Sequence, residues 1–214
     1  MKKVLKVVGI IISIVFAVLV ILFLSNLIRN IYIINNVYSA KEKFAEYTNY
    51  QIEKNWYENE ERQKVIVYNK GDKQRIDVYS WHPMSIYEKS RIESSKVVTE
   101  ESEKSKYIDE IFIDETKFDK NTLIKQYLFR KIYKNDDDEY IFNYDEKIEN
   151  TTDVHVYCFI ISKDNFLIKD FFDAGIEKKD YRKGLYSLDE KYSYNVEFNT
   201  VTDEKINEVV TYEN

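Results

Sequence analysis

Apolar positions along this chain follow three patterns in turn: one unbroken run, then a helical spacing, then a long series of two-residue alternations. From Val7 to Ile28 no residue is charged, and 17 of these 22 residues are Val, Ile, Leu or Phe. As a helix rising about 1.5 Å per residue the run reaches roughly 33 Å, slightly more than a hydrocarbon thickness of about 30 Å. At about −0.3 kcal/mol for each strongly apolar residue, insertion sums to near −5 kcal/mol. The run therefore predicts a transmembrane helix over 7–28. Val37, Ala40, Phe44 and Tyr47 then recur at helical spacing, with Lys41, Lys43 and Glu46 largely off their stripe. They predict an amphipathic helix or connector over 29–48, whose stripe needs an apolar partner.

From Asn49 the period falls to two. Tyr50, Ile52 and Trp56 alternate with polar neighbours, and Val65–Tyr68 and Ile76–Trp81 flank Asn69-Lys70-Gly71-Asp72, a hairpin turn in which Gly71 supplies a positive φ. His82-Pro83 closes this meander. Further strands are expected near Ile86, at Lys96–Thr99 and at Tyr107–Phe118, with a charged connection at Glu100–Lys106. Leu123, Ile124, Tyr127, Leu128 and Ile132 return to helical spacing behind an Asp119 or Asn121 cap, predicting a helix over 119–133. Strands resume at Tyr140–Tyr144, Val154–Ser162 and Phe166–Phe172. Val154–Ile161 is apolar on both faces and reads as a central, doubly covered strand. Tyr192, Tyr194, Val196 and Phe198 alternate with polar residues, as a strand with one wet face does, and Thr202-Asp203-Glu204 opens a final helical turn. The expected class is α+β: a transmembrane helix followed by a curved antiparallel sheet with helices packed on one face.

Lys2, Lys3 and Lys6 precede the apolar run, and only Arg29, Lys41 and Lys43 follow it closely. This asymmetry predicts a cytoplasmic tail at 1–6 and an extracytoplasmic domain at 49–214, in the cell membrane as a single-pass protein. A cleaved signal peptide needs a shorter core and small residues at a cut site, so an uncleaved signal-anchor is expected. The sole cysteine, Cys158, lies too far along for a lipoprotein anchor and leaves no intramolecular disulfide.

Beyond residue 29 the chain carries 28 Lys and Arg against 38 Asp and Glu, a net charge of −10. Nucleic acid is held mainly through basic side chains on phosphates, so it is not an expected partner. The outer part fits one ordinary domain, and with 4 Gly and 1 Pro in the chain no stretch reads as a linker. Nineteen tyrosines accompany abundant Lys, Ile and Asn, as an AT-rich coding sequence produces, so Tyr enrichment alone carries little functional weight.

Chemistry-bearing motifs are sparse. His82 reads as a turn residue and His155 as a structural strand residue, and His155 and Cys158 point to opposite strand faces, so no Cys-His dyad follows. Cys158 is expected to be a buried, inert thiol. Asn135-Asp136-Asp137-Asp138-Glu139 lacks the Gly and distal Glu of a calcium loop and reads as a solvated acidic turn between helix and strand. Asn150-Thr151-Thr152 fits a glycosylation acceptor only in a eukaryotic secretory pathway. No phosphate loop, Gly-x-Ser-x-Gly or His-Glu-x-x-His occurs. No catalytic residue, metal ligand or cofactor is expected, and the protein is read as a non-enzyme.

The order of elements, together with Tyr194-Asn195-Val196-Glu197-Phe198-Asn199-Thr200-Val201-Thr202-Asp203-Glu204, resembles membrane-anchored relatives of the LolA/LolB-like half-barrel superfamily of bacterial lipoprotein-localisation factors. It departs at Val209-Val210, where a Pro-Asp pair is expected. The resemblance implies a half-barrel whose concave face accepts acyl chains or a hydrophobic partner. The expected function is that of a membrane-tethered extracytoplasmic binding domain for a lipid, lipopeptide or hydrophobic segment. Tyr127 and Leu128 are expected to line or plug the cavity against Trp56, Phe142, Phe159 and Phe198. The alternative is an envelope protein–protein interaction or sensory module with a filled core.

Overall fold

A computed structural model describes residues 2–58, 61–81, 91–98, 106–147, 154–176 and 190–208. Helix α1 (Lys2–Tyr38) is 37 residues long, so the helix does not stop where the apolar run ends at residue 28. Described side chains from Val7 to Leu24 are exposed, on a helix long and apolar enough to cross a membrane. Burial then begins at Asn30, Ile33, Ile34, Val37 and Tyr38, a spacing that keeps one stripe of the helix against the domain. After Ser39, helix α2 (Ala40–Phe44) continues the stripe through Ala40 and Phe44, whereas Tyr47 is left 45% exposed. The stretch 29–48, expected as a connector, is thus the last part of α1 followed by α2, both packed against the core.

Among the described residues nine strands form one antiparallel sheet: β1 (Asn49–Glu58), β2 (Glu61–Lys70), β3 (Lys73–Trp81), β4 (Arg91–Val98), β5 (Tyr133–Lys134), β6 (Tyr140–Lys147), β7 (Val154–Ile161), β8 (Ile168–Ile176) and β9 (Glu190–Phe198). Their order is β4-β3-β2-β1-β9-β8-β7-β6-β5: two meanders joined where β1 pairs β9, Ile52 opposite Val196. Lys70 pairs Lys73 across the expected turn, and Gly71 takes a φ of 62°, which costs glycine no Cβ clash.

Register places Tyr50, Ile52, Lys54 and Trp56 on the same face as Val65, Val67, Tyr194, Phe171, Phe159 and Phe142. The stripe of α1 and α2 joins this face in one core cluster. On the reverse face Ile66 and Tyr68 gather with Val201 and Ile206 beneath helix α5 (Asp203–Asn207). Helices therefore lie on both sides, because β2 carries apolar residues at successive positions and each face needs cover.

Three further expectations are corrected. The helix expected over 119–133 is only α4 (Lys120–Gln126), capped by Asp119, which accepts the Thr122 N–H at 2.7 Å. It ends early because side chains of α1 take the carbonyls of Tyr127, Arg130 and Ile132, holding that stretch out of a helix. The strand expected at Tyr107–Phe118 is instead the single helical turn α3 (Lys106–Asp109) followed by an irregular segment. There Asp114 accepts from Thr116 N–H at 2.9 Å, while Ile111, Phe112, Ile113 and Phe118 are buried. A short apolar run cannot announce whether it pairs or merely packs. Strand β7 lies inside the sheet, but its two faces are not equally covered: Tyr157, Phe159 and Ile161 are buried on the core face, whereas on the other side Val156 is buried and Cys158 and Ile160 are half-buried. Helix α5, which covers that side of the sheet, lies over β2 and β3.

The turn at His82-Pro83, the strand near Ile86, the connection 100–105, Asn150-Thr151-Thr152 and Val209-Val210 lie outside the described residues.

Candidate binding cleft

Lys54 interrupts the apolar side of β1 between Ile52 and Trp56, and its place in the register turns it toward the core. Its ammonium lies 2.5 Å from Glu110 Oε2 and 4.9 Å from the ring centroids of both Trp56 and Tyr192. A charge taken out of water needs such an arrangement, with an opposite charge and aromatic faces replacing lost hydration. Tyr194 shares Glu110. Burial first, then the carboxylate and Tyr192, push its phenol far above the ordinary value, so it stays protonated and acts as a donor.

This polar group lines a cleft of about 720 Å³. One wall is helical, with Val37, Tyr38 and Lys41. A second is the irregular segment 109–118, and the floor is the sheet at Phe159, Ile168, Phe171 and Tyr192. Phe118 closes one end, stacked edge-on against Tyr144, Tyr157 and Phe159 at 4.9–5.2 Å, and its carbonyl accepts the Tyr38 hydroxyl at 2.7 Å. Lys41 and Asp109 pair across the exposed rim at 2.6 Å. The cleft therefore offers apolar walls around one ion pair.

Of the residues expected to line a cavity, Phe159 does so. Phe142 lies beneath it, fully buried, with ring centroids 5.4 Å apart. Trp56 flanks the cleft through its contact with Lys54. Tyr127 is buried away from it, its hydroxyl accepting the Asn143 N–H at 2.7 Å. Leu128 is half-buried in the turn after α4, and Phe198 packs with Phe44 and Tyr47. The residues that give the cleft its polarity, Lys54, Glu110 and Tyr194, were not singled out from the sequence. The available signal was a lysine at an inward position of an alternating strand.

Elsewhere, Asp138 and Glu139 of the acidic turn are held by lysines: Asp138 by Lys134 and Lys163, Glu139 by Lys169. Those hydrogen bonds hold the Asp138 carboxyl below its usual range; for Glu139, burial opposes the shift but Lys169 and Asn135 outweigh it. The turn joins β5 to β6 rather than helix to strand. Burial, helped by Asp170, pushes the Cys158 thiol up to about 11. His155 stacks on Tyr157 at 4.5 Å, on the opposite side of β7.

No protein-family model matches the chain, and no curated protein matches it.

Proposed function

We propose that this is a membrane-tethered, extracytoplasmic, non-enzymatic binding domain whose cleft takes a lipid, a lipopeptide or a hydrophobic protein segment. The single observation that carries this reading is the apolar cleft with the Lys54–Glu110 pair on its wall. Aromatic walls suit an acyl or other apolar body, and the ion pair with the Tyr194 hydroxyl suits a polar head that can donate and accept hydrogen bonds. In this reading the open sheet is a curved half-barrel of the LolA/LolB-like kind, with α1, α2 and α4 across its concave face. The cluster that unites those helices with Ile52, Val67 and Phe159 supports it. The N-terminus lies in the cytoplasm, with Lys2, Lys3 and Lys6 held there, and the domain lies outside the cell.

A photoactivatable fatty acid tests the cleft. With full-length protein in lipid nanodiscs, crosslinks are expected on peptides carrying Phe112, Phe159 or Phe171 as well as on α1. Crosslinks confined to α1 would leave the cleft without a lipid role and favour a protein-interaction module.

A further inference from the structure

Phe129 is 84% exposed, more than any large hydrophobic side chain of α1, where Phe16 reaches 68%. Its ring nevertheless stacks on Phe23, centroids 5.5 Å apart and planes 30° apart. Phe23 lies five residues before the end of the apolar run, about 7 Å back along the helix axis. A ring that packs on Phe23 shares its depth.

The turn carrying Phe129 is held there. Asn26 Nδ2 donates to the Arg130 carbonyl at 3.0 Å, and Asn30 Nδ2 donates to the same carbonyl at 2.7 Å and to that of Tyr127 at 3.1 Å. Arg29 donates to the Ile132 carbonyl. From Tyr127 to Lys134 the chain has Arg130, Lys131 and Lys134 and no acid, inside an outer part of net charge −10. Arg130 also pairs with Asp145 and Lys134 with Asp138, while Lys131 is exposed. Tyr32 and Tyr133, 58% and 66% exposed, add the amphipathic rings that favour a membrane–water boundary.

We propose that the turn 128–131 is a second membrane contact: Phe129, with Leu128, enters the acyl region of the leaflet on the domain's side, and Lys131 and Arg130 lie at headgroup level. The occupant is the bilayer that α1 spans, so the proposal rests on that reading of α1. An apolar side chain of a peripheral contact sits about 5–10 Å below the headgroup boundary, which is the depth Phe23 sets. The domain is then fixed at the surface by an uninterrupted helix and a wedge, rather than swinging on a stalk. Val37 and Tyr38 on the cleft wall follow Ile28 by roughly 14 Å of helix, so the cleft stands just outside the headgroups.

Site-directed spin labelling of the full chain in phosphatidylcholine–phosphatidylglycerol nanodiscs tests this. Cys158→Ser removes the native thiol, and Ile14→Cys, Phe129→Cys and Asp72→Cys place single labels. Collisions with oxygen are compared with those of a water-soluble nickel chelate. Oxygen-favoured values are expected at 14 and 129, and nickel-favoured values at the exposed hairpin position 72. A label at 129 that behaves like 72 while 14 stays oxygen-favoured overturns the wedge and leaves the anchor standing. A nickel-favoured label at 14 removes the anchor and the wedge together. If Phe129→Cys does not fold, Lys131→Cys takes its place, with values between those at 14 and 72 expected and values equal to 72 overturning the proposal.

Discussion

Asn30 joins α1 to the turn after α4. It is 1% exposed, donates to two carbonyls of the 127–130 turn and lies 3.4 Å from the Ile132 N–H it faces. Asn30→Ala leaves those buried groups without their partner, and a loss of about 1–3 kcal/mol is expected in denaturant unfolding of the detergent-solubilised protein. Lys54 presents a related case. Glu110→Ala strands a buried ammonium, but Glu110 is 32% exposed, so the loss is expected at about 1–3 kcal/mol, below that for a fully buried pair. Cys158 is expected to be slow. A thiol pushed up to about 11 from 9.0 holds about a hundredfold less thiolate at pH 8, partly offset by the greater nucleophilicity of that thiolate, and alkylation of the folded protein should lag the unfolded chain by roughly tenfold.

Single helices and strands obeyed their local signals where those signals were self-sufficient. Asp119 caps α4 and Thr202 caps α5, the latter accepting the Lys205 N–H at 3.1 Å, as side-chain acceptors at helix starts do. The hydrogen bonds from Thr122 hold the Asp119 carboxyl below its ordinary 3.8. A lowered folded value means that the stabilisation is present above 3.8 and is lost as pH falls through the lowered value. Asp114 and Asp138 shift in the same direction. Thermal unfolding temperature is therefore expected to hold from pH 7 to about 5 and to fall below 3.8, with Asp119→Asn flattening part of that fall. Strand β7 supplies a packing test. Phe159 is 1% exposed between Phe142, Phe118 and Phe171, so Phe159→Ala is expected to cost about 3–5 kcal/mol. The segment at 107–118 shows where local signals fail: its apolar residues are as buried as a strand's, yet they serve as a lid packed over Phe159 rather than as a ladder.

Helix α1 runs unbroken into the domain: its described side chains from Val7 to Ser25 are exposed, and its last turns, from Asn30 to Tyr38, join the core. This makes orientation testable at the level of the intact cell. Protease added to cells is expected to digest the region beyond residue 38 while sparing 7–28, and protection of the whole chain until lysis would overturn the proposed topology.

Composition and periodicity were enough to reveal the long apolar N-terminal helix, the hairpin at Gly71, the cap at Asp119 and the alternation of β1 and β9, because each depends on residues within one helix, one turn or one strand. Strand order, the early end of α4 and the cleft itself were settled only by tertiary contacts. Lys54 meets Glu110, Asn30 meets Arg130 and β1 meets β9 across separations of 56 to about 140 residues. The free energy of such meetings comes from desolvation and packing between distant segments, and no local window of the chain contains both partners.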